Sequence, residues 1–499
     1  MRPSRTPGSP FALCAIAIVA SAGACTSASS PAGPRPAAIA TPPPAPAPSA
    51  PPSAAALSAP AITTQPFAPP TVSHGTLPNG MAVWHVGSRT LPTVHLRLVV
   101  RTSPASPAAS RLTALAVERG RYPVPVPGAP KPVARTFRAD MEVRSVEGAE
   151  VFALELPRNQ LDPAVDHLGA MVRRTKLSGT PMAALRALDE ARSAALLSED
   201  PCAALRAVAV RELNGAAPGT AEDATRITAP DLEAFHKTRF VPRSTGLIVT
   251  GDVTFDEAMD AARRAFGTWE APAPPASAAS TPSAPQYVRI VVVDRPKAPD
   301  HAVVLAAPGA AASAPDWAAL WLLRDRLAPQ APAPAQQLPR ISGELPSSSA
   351  ALAVCSRTPA DRTSDAVASA LERARSLVGA DLPDNELRIA RDGWIDRLAT
   401  ELASMPDLAD FAASAFASGL EHDAPSLLPS RIGAITAADV RQAARARLAN
   451  GALVVVLADA ERVGVELSRF GDVTVLDPSS GFARKKVIPA DPRATAPAP

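Results

Sequence analysis

Ile227-Thr-Ala-Pro-Asp-Leu232, followed by Phe235-His-Lys-Thr-Arg-Phe-Val-Pro-Arg-Ser-Thr-Gly-Leu-Ile-Val-Thr-Gly-Asp252, reads as a helix start, a proline turn and an apolar strand in succession. The Thr228 hydroxyl can cap free helix amides, and Asp231, three residues on, sits in the positive first turn. The same order returns later in the chain. Ile435-Thr-Ala-Ala-Asp-Val440 repeats the cap at an offset of 208 residues, Asp459 at the end of Ala452-Leu-Val-Val-Val-Leu-Ala repeats Asp252 at 207, and Phe470-Gly471 repeats Phe266-Gly267 at 204. One such cap is common, but its recurrence with strand and helix in the same order marks a duplicated unit. Each unit predicts a mixed, mostly antiparallel sheet with helices packed on one face, an α+β layer.

The duplication sets the organisation. Residues 271–285 are a Pro/Ala/Ser linker, which leaves residues 71–270 and 286–480 as homologous domains and 481–499 as a tail. Helices are expected over Asp162–Lys176, Ala183–Leu197, Asp365–Leu377 and Glu386–Leu402. In the first domain Leu77-Pro-Asn-Gly80 turns into Met81–Val86. A Ser88–Pro92 turn follows, and then Val94–Val100 alternates as a half-buried strand, so the pair predicts a β-hairpin. His95 and Arg97 share one side of that strand and read as its solvated face.

Ahead of the domains, Arg2 and Arg5 precede an apolar stretch, Phe11–Ala22, shorter than a membrane span. Ala22-Gly-Ala-Cys25 then resembles a bacterial lipoprotein signal: residues 1–24 are removed and Cys25 is lipidated, with a plain secretory signal as the alternative. Each buried acyl methylene contributes about 0.8 kcal/mol, so several chains hold a bilayer where one does not. Thr26 in place of Asp favours the outer membrane by the same resemblance. Residues 25–70 read as a disordered tether, since 14 prolines between 31 and 70 favour extended polyproline conformations over a packed core.

Loss of Arg2 and Arg5 takes the formal charge from +3 to +1, a near balance that argues against a nucleic-acid partner. Aromatics are only 4%, so the two cores must be packed by alanine, leucine and valine. Cys202 and Cys355 fall one in each domain. An oxidising compartment permits a bridge, but nothing in the sequence brings them together, and they read as two separately buried thiols.

Leu77–Val100, Phe235–Trp269 and Val291-Val-Val-Asp-Arg-Pro296 together resemble the insulinase/pitrilysin family of zinc peptidases, relatives of the mitochondrial processing peptidase, over roughly residues 70–480. The resemblance implies two tandem domains of the LuxS/mitochondrial-processing-peptidase-like metallohydrolase type. It also implies a motif, His-x-x-Glu-His, on the first helix after residue 100. There two histidines on one helical face grip zinc, and the glutamate takes a proton from the bound water. In this chain Ala114 and Glu118 stand at the histidine positions and Val117 at the base. The family's third ligand falls near Glu190 or Ser193, and Glu190 reads as a solvated carboxylate, because one carboxylate without imidazoles does not hold zinc. The family's substrate-orienting arginine and tyrosine are also missing: Leu323-Arg-Asp-Arg-Leu327 runs into a proline-rich stretch, and the only tyrosines are Tyr122 and Tyr287.

The seven histidines are His74, His85, His95, His167, His236, His301 and His422, and no two are three to five residues apart. No helix can therefore offer a pair to one metal. Gly-x-Ser-x-Gly, phosphate-loop and Cys-x-x-Cys motifs are absent as well. The reading assigns no catalytic residue, no metal ligand and no cofactor, and Cys25 alone as a modification site. Zinc belongs to the family, but its ligands are lacking here. The function implied is that of an exported, lipid-anchored, non-catalytic relative that pairs with an active insulinase-type subunit and binds peptide or unfolded protein. The alternatives are a stand-alone peptide-binding scaffold and an active zinc endopeptidase with an unfamiliar site.

Overall fold

A computed structural model describes residues 67–102, 106–119, 141–146, 148–214, 224–275, 285–311, 314–328 and 351–492. The signal, Cys25, nearly all of the tether and Tyr122 lie outside these residues. None of the described helices is long and apolar enough to cross a membrane.

The first sheet contains β1 (Ser73–Thr76), β2 (Ala82–Gly87), β3 (Thr93–Arg101), β4 (Glu142–Val146), β5 (Ala149–Pro157) and β6 (Thr245–Gly251), in the order β1-β2-β6-β3-β5-β4. Only β2 and β6 run parallel. Strands β2 and β3 therefore do not form the expected hairpin, because β6 lies between them, parallel to β2 and antiparallel to β3. The residues explain the insertion: Thr-Gly-Leu-Ile-Val-Thr-Gly of β6 is buried at every position, as a central strand covered on both faces must be. The 88–92 connection crosses the end of β6, where Ser88 N–H donates to Gly251 O (2.8 Å) and Asp252 N–H to Thr93 O (2.9 Å). Gly251 sits at φ +119°, and a Cβ there would lie 2.2 Å from Thr93 O, so only glycine permits the crossing.

The second sheet contains β7 (Arg289–Asp294), β8 (Asp300–Pro308), β9 (Ala351–Pro359), β10 (Leu453–Ala458), β11 (Val473–Asp477) and β12 (Ala483–Ile488), in the order β12-β11-β7-β10-β8-β9. Its β7-β10-β8-β9 centre repeats β2-β6-β3-β5. Strand β12 lies in the stretch read as a tail and pairs antiparallel with β11. The tail reading is corrected there: Arg484, Lys485 and Lys486 stand in succession on an exposed edge strand, and Lys485 Nζ donates to Asp294 Oδ2 (2.8 Å).

The helices follow the same duplication. α1 (Pro107–Arg119), α2 (Leu161–Arg174), α3 (Met182–Glu199), α4 (Pro201–Leu213), α5 (Ala229–Arg239) and α6 (Phe255–Phe266) belong to the first half. α7 (Trp317–Leu327), α8 (Thr363–Gly379), α9 (Asp384–Glu401), α10 (Met405–Ala417), α11 (Ala424–Gly433), α12 (Ala437–Leu448) and α13 (Ala460–Leu467) belong to the second. Both capping boxes form, with Thr228 and Thr436 N–H each donating to the Oδ2 of Asp231 and Asp439 at 2.8 Å.

Each sheet carries its own helices on one face. The other face receives one helix from the opposite half. Helix α4 lays Leu205, Val208, Ala209 and Leu213 against Val291, Val304, Leu453 and Val455 of the second sheet. Helix α10 lies reciprocally on β3 and β6, where Phe416 meets Trp84 edge-on at 5.5 Å and Thr250 Oγ1 donates to Met405 O (2.9 Å). That placement overturns the reading of His95 and Arg97 as a solvated face, because they are 7% and 2% exposed. Cys202 on α4 and Cys355 on β9 are bonded to each other, not separately buried, because the α4 dock brings their Cα atoms to 5.7 Å.

Candidate functional site

Helix α1 carries the degenerate motif. Ala114 and Val117 are 1% and 0% exposed and pack into the first domain's core, so neither presents chemistry to a cleft. Glu118 points instead to α3, where Arg192 Nη2 donates to its Oε2 at 3.0 Å. One turn or two earlier, Arg111 reaches Asp189 of α3 with a two-pronged contact of 3.2 and 3.3 Å. The carboxylate of α3 that faces α1 is thus Asp189, buried against Arg111, whereas Glu190 is exposed, as a solvated helix position should be. Two guanidinium–carboxylate pairs span the α1/α3 contact where the family resemblance puts a metal.

These residues do not fit zinc. Both carboxylates are already neutralised by arginines, and no imidazole joins them. No histidine takes part in these α1/α3 pairs: His85 Nε2 contacts Val253 O (2.8 Å), His236 Nε2 contacts Val172 O (2.8 Å), His301 Nδ1 contacts Thr363 Oγ1 (2.6 Å), and His74 stacks on His422 at 3.4 Å. Burial lowers His85, His95, His236 and His301 below the ordinary histidine range. Among the described residues no group of three or more His, Cys, Asp or Glu converges in a way that could hold a metal ion. In the second half Arg324 stands over the Trp321 ring, and Tyr287, well before that stretch in the chain, is 60% exposed.

Below the first turn of α1 lies a buried polar cluster that sequence reasoning missed. Glu150, on β5, is 1% exposed and accepts from Ser110 Oγ (2.6 Å) and Ser145 Oγ (2.7 Å), and Thr102 Oγ1 lies 2.9 Å from Ser110 Oγ. Burial pushes its carboxyl up to about 7, a rise that the two serine hydrogen bonds and nearby Arg111 only partly offset. Its alternation with Ala149 and Val151 was the available signal, an acid at an inward strand position. Glu150 is not among the residues that line the neighbouring cavity.

The opening lies beside this wall. A cavity of about 540 Å³ is lined by Arg97 of β3, Glu142 and Val143 of β4, Ala153 and Glu155 of β5, and Arg192 of α3. Arg97 Nε donates to Asp410 of α10 (2.5 Å) and its Nη2 to Glu155 (3.3 Å), while Arg144 Nη2 donates to the same Asp410 oxygen (2.6 Å). Burial alone would raise the Asp410 carboxyl, but the hydrogen bonds and charges of Arg144 and Arg97 outweigh it and hold it below the usual range.

The internal repeat shows what is unusual about this region. Helices α3 and α9 hold the same place in the element order of the two halves and are both 18 residues long, so an offset of 202 pairs Leu185 with Leu387, Arg192 with Trp394 and Leu196 with Leu398. In the second half Trp394 and Leu398 are fully buried, and Trp394 packs edge-on to Trp321 at 5.8 Å. In the first half the same positions are an exposed arginine and a leucine 41% exposed. A tryptophan cluster plugs one half; the other is left open. Strand β4 borders the opening, is half-exposed, and pairs among the described residues with β5 alone.

Comparison with known proteins agrees with this architecture. Residues 226–393 match the family model described as the peptidase M16 inactive domain. The chain shares its fold with solved M16 structures, and residues 226–393 match the family's inactive-domain model. A peptidase M16 inactive domain from Pseudomonas fluorescens is 17% identical, covering 78% of this chain and 98% of that one, with a TM-score of 0.59. A protease from Helicobacter pylori is 13% identical over 78% of this chain and 100% of its own, with a TM-score of 0.61. A chain of complex III2 from Candida albicans is 13% identical, covering 79% and 97%, with a TM-score of 0.59. No curated protein matches this chain. Its α+β fold of two tandem, homologous sheets is the one that the duplication predicted; the inactive-domain match, residues 226–393, does not extend to α1.

Proposed function

We propose that this M16-type chain is a non-catalytic peptide-binding subunit, exported and anchored through lipidated Cys25, that pairs with an active insulinase-type peptidase. The observation that carries the reading is the contrast between α3 and α9: the packing that closes the second half is replaced in the first by an open cavity flanked by a half-exposed strand. Among the described residues no strand pairs with the outer edge of β4, and extended peptides bind such edges through main-chain hydrogen bonds. Glu142, Glu155 and Arg192 beside it give polar contacts of both signs. The fold's presence in a chain of complex III2 supports assembly as a subunit. Lipidation is supported only by the Ala22-Gly-Ala-Cys25 pattern.

Titration of the soluble part, residues 66–499, with a library of unstructured peptides tests the binding. Saturable binding without cleavage, weakened by proline placed in β4, is expected. Cleavage that chelator abolishes would return the chain to the zinc peptidases. A membrane pull-down that recovers no His-x-x-Glu-His protein, together with retained peptide binding, would favour the stand-alone scaffold.

A further inference from the structure

The two halves embrace by exchange of helices, and the internal repeat makes the two docks comparable position by position. Helices α4 and α10 are both 13 residues long and correspond at an offset of 204. Each covers the outer face of the other half's sheet, yet the two are fastened by different chemistry. In the α4 dock, Cys202 in the first helical turn is bonded to Cys355 of β9. The corresponding positions of the other dock are Pro406 on α10 and Ala153 on β5, so no such bond is available there. What fastens α10 instead is Asp410, which takes Arg97 Nε at 2.5 Å and Arg144 Nη2 at 2.6 Å, with the Phe416 ring against Trp84 and Arg101.

We propose that the halves form an asymmetric hinge, with the α4 dock as the covalently fixed pivot and the α10 dock, latched by Asp410 on Arg97 and Arg144, as the side that releases. A covalent link between α4 and β9 limits separation on its side to the reach of one bond, whereas ion pairs and apolar contacts break and re-form on ordinary opening timescales. The direction of opening matters because Arg97 is both the latch's buried partner and a wall of the cavity, so lifting α10 uncovers that wall, whereas loosening α4 uncovers the second sheet. The inference concerns motion between the halves and stands whether or not a peptide binds in the cavity.

Hydrogen exchange read by mass spectrometry on the oxidised soluble part tests it, with α4 and α10 peptides followed separately. The α10 amides should exchange about tenfold or more faster than those of α4. Reduction with a phosphine, which can reach the half-buried sulfurs, should accelerate α4 by about tenfold and leave α10 little changed. Asp410→Asn in oxidised protein should do the reverse. Equal acceleration of both helices by either treatment would show one rigid interface and overturn the hinge, as would α4 exchanging faster than α10 before reduction. Rapid alkylation of Cys202 and Cys355 without reduction would remove the pivot altogether. Reduction acts on folded wild-type protein, so the test survives a variant that fails to fold.

Discussion

Replacing Asp410 by asparagine removes the one carboxylate that two arginines share across the interface between halves. Arg97 is 2% exposed, and the side chain of Asp410 is 15% exposed. Stripping one partner from a buried ion pair costs about 3–5 kcal/mol, because the remaining charge stays desolvated. Two features reduce that figure here. Glu155 still reaches Arg97 at 3.3 Å, although its side chain is 57% exposed, and Leu96 O accepts from Nη1 at 3.2 Å. Arg144 is 37% exposed and adds only the modest contribution of a surface pair. The net loss should be about 3 kcal/mol by urea denaturation of the soluble part at pH 7. A pH series supplies the sign. The folded Asp410 carboxyl lies below its ordinary range, so its contribution is complete above the unfolded value and vanishes as pH falls through the folded one. Wild type and Asp410→Asn should therefore converge at strongly acidic pH and differ most near neutrality. A difference under about 1 kcal/mol at pH 7, or one that does not shrink on acidification, would refute the claim that this buried triad fastens α10.

Glu150 gives the opposite pH dependence: with its carboxyl raised from 4.5 to about 7, the folded state holds the proton more tightly, so stability falls as pH climbs through that window and is flat above it. Glu150→Gln should remove this slope, seen as a gain of about 3 kcal/mol relative to wild type at pH 8 that disappears near pH 4, in paired denaturant titrations. Gly246→Ala places a Cβ 2.7–2.9 Å from the Phe416 ring and should cost about 1–3 kcal/mol through overpacking, measured as a lower Tm. Cys202→Ser opens a link spanning 153 residues and should cost about 5 kcal/mol on a chain-entropy basis, provided the wild type is kept oxidised.

Local signals in this chain were readable; those carried by partners distant in sequence were not. The Thr228–Asp231 and Thr436–Asp439 caps involve residues three apart, so the helix starts and their duplication could be read directly, and with them the α+β class. The apparent hairpin of β2 and β3 failed because its true neighbour, β6, arrives some 150 residues after β3 and shows itself only as an apolar run. Arg97 looked solvated because the helix that covers it, α10, belongs to the other half of the duplication. The same reciprocal docking hid the meeting of Cys202 with Cys355. At the site, the absence of histidine from α1 was plain in the sequence. What took its place was not: the Arg111–Asp189 and Glu118–Arg192 pairs depend on how α1 and α3 face each other. The openness of α3 emerged only when α9, its structural counterpart, could be laid beside it.

The most direct test of the central claim is the metal content of the purified soluble part, measured by mass spectrometry after incubation with excess zinc and desalting. The α1/α3 contact, filled by two arginine–carboxylate pairs, predicts protein that retains no stoichiometric zinc. One tightly held zinc per chain, lost when Asp189 or Glu118 is replaced by alanine, would contradict it.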